Sequence, residues 1–289
     1  MSNIILDESV QTVRELLGDD LEAISVERAS LGLFFSGVKL STGEAGLCFT
    51  PVKEIPDAVC CPSSGQAMPM SGRLGGRSAS AYLDDVSSDN LLKKTLGIAT
   101  LNALSLRLTQ LGLAPGFEVG GDAFDEVPIR PGDKAVVIGA LVPALKRFAR
   151  LGVDYTVLEL DSRTLKGSEL EHFATADRYA EFLPEADVVI ITGVTLINDT
   201  LPELLRYVKP GAQVSLAGPT VSMLPDPLFR RGVTMVGGVV VTDPDRCLDL
   251  ISEGGSGYHL FGKCAEKTLV RLPQASGTDE RAPSLTGAI

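Results

Sequence analysis

The chain has 289 residues with 44% apolar side chains, enough for one or two full cores, which excludes a chain disordered throughout. Its net charge of -11, with the basic residues scattered rather than blocked, excludes an electrostatic footprint for nucleic acid, and no uncharged apolar run is long enough to span a bilayer. The start, from Met1 to Leu17, lacks a basic stretch ahead of an apolar core, so a soluble cytoplasmic protein is expected, with neither nucleic acid nor membrane as partner.

In chain order, Asp7 is the expected cap of a first helix with Val10, Val13, Leu16 and Leu17 on one apolar face and Gly18 at its end. Three strand-like runs follow, Leu21 to Ala29, Leu31 to Leu40 and Ala45 to Thr50. The last two are joined by Ser41-Thr42-Gly43-Glu44, whose turn chemistry implies an antiparallel meander. From Pro56 to Ser80 the chain is rich in Gly, Ser, Pro and Met and reads as a surface loop. Ser88 or Asp89 then starts a helix from about Asn90 to Gln110, apolar on nearly every face and so expected to be buried on most sides. Asn102, polar within it, is expected to make structural hydrogen bonds.

Residues 112–132 hold several Gly and Pro without apolar periodicity and form the expected linker. Beyond it, short continuous apolar runs alternate with helical segments. Strands are expected at Lys134 to Ile138, Asp154 to Leu160, Ala186 to Thr192, Gln213 to Ala217 and Val233 to Val241. The fold class is therefore α/β: a small α+β domain over 1–111, then a Rossmann-like doubly wound parallel sheet over 133–273. A loose tail over 274–289 completes the expected division.

In such a sheet ligands sit beyond the carboxyl ends of the strands. Three exits here carry small or hydroxyl residues: Thr192, Gly193, Thr195 and Asn198; Gly218, Pro219 and Thr220; and Gly238. The turn after the first strand, Gly139-Ala140-Leu141-Val142-Pro143, keeps one glycine of the dinucleotide pattern and lacks the other two, while Asp161 stands where a ribose-binding acid would. An enzyme using NAD or S-adenosylmethionine is the alternative reading, with Asp161 as its cofactor residue. No nucleophile–base pair, clustered carboxylates or zinc spacing assigns a reaction, and adjacent Cys60 and Cys61 are poor joint ligands for one metal.

The residues also resemble a known family. Gly46 to Pro51, Leu96 to Ala103, Val137-Ile138-Gly139, Thr192 to Asn198, Gly218-Pro219-Thr220, Pro225, Leu228-Phe229 and Gly232 to Gly238 are similar, in their order, to the heavy-metal chelation family. That resemblance implies an enolase N-terminal-like domain followed by the Rossmann-like one, a site in the interdomain cleft, and a homodimer. It also implies a metal ion or a metal-binding organic cofactor as ligand. A hydroxyl- and glycine-rich crevice suits a small polar or anionic organic ligand, pterin-like or tetrapyrrole-like, with Phe49 and Thr50 closing it from the first domain.

Overall fold

The computed structural model describes residues 3–54, 67–68 and 70–273; Cys60, Cys61 and the expected tail lie outside them. Helix α1 spans Ile4–Leu17, and its cap is Asn3, not Asp7: the Asn3 side-chain oxygen accepts the Leu6 amide at 3.4 Å. Asp7 lies in the first turn instead, where a carboxylate complements the positive end of the helix. The buried face is Ile5, Leu6, Ser9, Val13 and Leu17, which leaves Leu16 exposed.

A tight 3-10 run over Gly18–Ala23 occupies the place of the expected first strand start. Strands β1 (Val26–Leu31), β2 (Phe35–Leu40) and β3 (Ala45–Phe49) form the antiparallel meander β1-β2-β3. At its second turn Gly43 takes φ +105° and donates its N–H to Leu40 O, a conformation that favours glycine. Helix α2 (Ala79–Asp84), capped by Ser78, rises where a loop was expected to run as far as Ser80; with six residues it has too few apolar positions to show a period. Helix α3 (Leu91–Gln110) is capped by Asn90, whose Oδ1 accepts the Lys93 amide at 3.0 Å, while the expected starter Ser88 accepts the Asn90 amide from one step outside.

Helix α3 lies directly on the meander. A Cβ on Gly46 would stand 2.1 Å from Ala99 O and 2.5 Å from the Ala103 nitrogen, so only glycine lets β3 approach the helix backbone this closely. Among the described residues no helix is long and apolar enough to cross a membrane.

Residues 112–132 supply β4 (Glu118–Val119) and α4 (Ala123–Glu126). Then come β5 (Lys134–Ile138), α5 (Val142–Leu151), β6 (Asp154–Glu159), β7 (Phe173–Thr175), α6 (Tyr179–Phe182), β8 (Val188–Thr192), α7 (Val194–Ile197) and α8 (Leu201–Tyr207). The chain continues through β9 (Gln213–Ala217), α9 (Asp226–Phe229), β10 (Met235–Val241), α10 (Pro244–Ser252), α11 (Gly257–Leu260) and β11 (Ala265–Arg271). The eight-stranded order is β4-β11-β10-β9-β8-β5-β6-β7. Strands β5 to β10 run parallel, as expected, but β11 and β4 add an antiparallel edge.

From β5 the chain winds outward through β6 and β7, then returns to lay β8, β9 and β10 on the other side. The reversal between β5 and β8 is where loops part and a crevice opens. Alternating residues divide between the two faces of the sheet. Val136, Ile138, Val189, Ile191, Val214 and Leu216 belong to a core that continues into α1, α3 and β2, whereas Val137, Val157, Val188 and Ile190 pack with Leu145 and Phe148.

Candidate functional site

Three strand exits at and beside the reversal share one construction. Each strand's ladder continues one residue past its end: Gly139 N–H donates to Leu158 O, Gly193 N–H to Ala217 O and Gly218 N–H to Gly237 O, each at 2.9 Å. Gly139 takes φ +94°, and a Cβ there would lie 2.9 Å from Thr192 Cγ2, so the exits of β5 and β8 touch because one has no side chain. Gly139, Thr192, Gly218 and Pro219 are partly exposed there, as is Phe49 from the first lobe.

The first lobe is hydrogen-bonded onto these exits. Phe49 N–H donates to Thr220 Oγ1 at 3.1 Å, and the Asn102 amide nitrogen donates to Leu47 O, Pro219 O and Thr220 O at 2.8, 3.1 and 3.2 Å. Asn102 thus makes the structural bonds expected of it. Farther out, Lys53 pairs with Asp161 at 3.1 Å across the space beyond β5 and β6.

The remaining expected residues, Asn198 apart, pack behind these exits or beside them. Thr50 is hydrogen-bonded to Ser36 at 2.8 Å and Thr195 donates to Thr192 O at 2.7 Å, while Thr220 is held by Phe49; all three hydroxyls are buried. Gly193 is buried too, with room for no side chain against Val221 and Thr220. Gly238 faces Ser222 and Thr268, and with Asn102 it lines a narrow cavity of about 40 Å3 on the β10 side.

Asn198 lies apart from this group. It is exposed, one short helix beyond Thr192, and its Oδ1 accepts from the Thr200 amide and hydroxyl. It lines a second opening between the lobes, of about 190 Å3, with Asn3, Asp89, Lys94 and Asp199. There Lys94 is 4% exposed and pairs with Asp199 at 2.5 Å. Sequence reading misses Lys94, although its spacing from Ile98 and Asn102 puts a lone charge on a buried face of α3. Lys53 and Asp199 carry no such signal.

The charges at the β5–β6 end bear on the nucleotide alternative. The Asp161 carboxylate accepts from Arg163 and Lys53, which together hold its pKa far below the usual carboxylate range. Glu159, the last residue of β6, accepts the Ala140, Leu160 and Asp161 amides. Its carboxylate therefore occupies the turn at which a dinucleotide's diphosphate would arrive, and like charges there repel.

Donors for direct metal binding among the described residues gather no further than one buried pair of thiols, Cys247 and Cys264, which burial holds in the protonated form. Among the described residues no group of three or more His, Cys, Asp or Glu side chains could hold an ion. Cys48 is wholly buried beside Thr220, and burial pushes its thiol up to about 12, away from the thiolate that soft metals require. His172 stacks on Tyr155 and bonds its backbone carbonyl, and His259 caps its own short helix with Ser256. The described side chains do not fit a directly chelated heavy metal.

Comparison with known proteins bears on the same two lobes. The family model DUF364, described as "Putative heavy-metal chelation", matches residues 122–270. The chain belongs to this family. A second model with the same description, DUF4213, matches residues 14–105, so the family's sequence pattern extends over both lobes. An uncharacterized protein of Methanocaldococcus jannaschii is 29% identical over 189 residues, covering 64% of this chain and 69% of its own. A DUF364-family protein of Pyrococcus horikoshii, solved by crystallography, superposes with a TM-score of 0.71 at 21% identity, over 93% of this chain and 100% of its own. Another from Desulfitobacterium hafniense gives 0.68 at 20% identity, over 92% and 99%. At these identities the two structures establish the shared fold.

Proposed function

We propose that the chain binds a small polar or anionic organic ligand in the crevice above the β5, β8 and β9 exits, and that this ligand supplies the metal-binding atoms. Gly139, Thr192, Gly218, Pro219 and Phe49 would touch it; Thr50, Gly193, Thr195, Thr220 and Gly238 would hold those residues in position. The observation that carries the reading is the attachment of the first lobe to the strand exits, through Phe49 to Thr220 and Lys53 to Asp161, around backbone that glycine leaves open. Described donors that gather no further than a pair argue for a ligand that brings its own chelating atoms, of the pterin-like or tetrapyrrole-like kind. The family description is consistent with such handling of a metallocofactor.

The same reading divides the chain into units at 1–111 and 133–273 and makes it a cytoplasmic homodimer, which native mass spectrometry also tests. Protein purified without added ligand, measured by native mass spectrometry and elemental analysis together, should carry a stoichiometric organic adduct, with any metal leaving when the adduct leaves. Stoichiometric metal without organic mass would overturn the reading in favour of direct chelation. So would a bare chain that gains no thermal stability from a panel of pterins and porphyrins.

A further inference from the structure

We propose that the opening around Lys94 and Asp199 is a second binding site, and that its ligand is a small zwitterion carrying a carboxylate and a protonated amine, of the size of a compact α-amino acid. It lies between the start of α1, the start of α3 and the loop after α7, and its volume of about 190 Å3 is room for about six waters. Its lining carries both signs of charge.

It offers donors. The Lys94 ammonium has three N–H groups and, among the described residues, one acceptor, Asp199 Oδ1 at 2.5 Å, although the side chain is 4% exposed. A buried ammonium with two unspent donors is costly unless something in the opening accepts them. The Asn198 oxygen is taken by Thr200, which leaves its amide nitrogen without a partner among the described residues. Leu91, the first residue of the twenty-residue helix α3, also lines the opening, so the positive end of that helix is near.

It offers acceptors as well. Asp199 Oδ1 receives Lys94 and the Asn3 amide, which leaves Oδ2 open, and exposed Asp89 has no partner among the described residues. A simple anion would meet two carboxylates, and a simple cation would meet Lys94 and a helix N-terminus. A zwitterion satisfies both sets: its carboxylate takes the Lys94 and Asn198 donors, and its ammonium takes Asp199 Oδ2 and Asp89. This site is independent of the crevice ligand, so its failure leaves that reading standing.

The test is titration calorimetry on the full chain with glycine, L-serine and L-aspartate, against acetate, methylammonium and inorganic phosphate at equal ionic strength. At least one amino acid should bind saturably below about 1 mM, and each single-charge probe should bind at least about tenfold more weakly. Asp89→Asn should weaken the amino acid about tenfold with the melting temperature unchanged, because Asp89 is exposed and makes no contact that folding needs. Lys94→Gln should abolish binding; if that variant does not fold, the Asp89→Asn comparison decides. The proposal is overturned if no amino acid binds below about 1 mM, if acetate, methylammonium or phosphate binds as tightly, or if Asp89→Asn changes nothing.

Discussion

Helix α3 carries several polar residues on the face it turns to the second lobe, and two of them, Asn102 and Lys94, meet opposite surroundings. Asn102 spends its amide hydrogens on three carbonyls from both lobes beside a cavity of about 40 Å3. Lys94, eight residues earlier and roughly 12 Å along the axis, has one acceptor beside an opening of about 190 Å3. The lobes therefore close tightly at one end of the helix, and at the other they are bridged by Lys94 and Asn3 across an opening. A closed interface would need both polar residues satisfied by protein, and only Asn102 approaches that condition. Even there its Oδ1 has no protein partner, in a space sufficient for one water.

If that contrast is right, changes at the latched end should cost the most. Gly46→Ala is expected to be the most damaging, by roughly 3 kcal/mol, because the new Cβ would press on Ala99 O, the Ala103 nitrogen and the Asn102 Cβ at once. Urea unfolding would measure it, and a loss under about 1 kcal/mol would mean that β3 and α3 can separate freely. Asn102→Leu comes next, at about 2 kcal/mol, since it removes the donors to Leu47, Pro219 and Thr220 from a site with little water to replace them. A neutral outcome would remove the latch from the comparison.

The same contrast explains what the sequence discloses. Strands β5, β8 and β9 are legible because burial on both faces makes them continuous apolar runs, such as Val188 to Ile191. Strand β11 is not, because Glu266 and Lys267 interrupt its apolar residues near the sheet edge, and β7 is only three residues long. The exits at Gly139, Thr192 and Gly218 are legible from glycine and hydroxyl residues at strand ends. The Lys94–Asp199 pair is not, because its partners are 105 residues apart and become neighbours only once the lobes pack. Asn198 is picked out as polar, but its assignment to the Lys94 side rather than the strand exits depends on where α7 carries the chain.

Another contact between the lobes should respond to acid. Glu8 of α1 accepts from Arg231 at 2.5 Å and Arg230 at 2.9 Å, just past α9, and these guanidiniums lower its pKa from 4.5 to about 2. A carboxylate with a depressed folded-state pKa stabilises the fold above its unfolded value, and that contribution disappears as the pH falls from about 4.5 to about 2. With the carboxylate about a third exposed, screening leaves roughly 1 kcal/mol. Glu8→Gln should therefore lower stability by that amount at pH 7 and by nothing measurable near pH 2. A gap that persists in acid would assign the effect to packing rather than charge.

The smallest effect on stability should come from Asn198→Ala, and its smallness separates the open end from the latched one. The lost side chain holds only the Thr200 amide and hydroxyl at an exposed helix start, so about 0.5 kcal/mol is expected by denaturation. Binding of a zwitterion should nonetheless weaken about tenfold, because Asn198 lines the Lys94 opening and its amide nitrogen has no partner among the described residues. Asn198→Asp distinguishes the two roles: it keeps the acceptor for Thr200 and so the stability, while it replaces the donor with a negative charge beside the ligand carboxylate. If Asn198→Asp binds as well as the native chain, the donor is irrelevant and Asn198 belongs to the helix start alone.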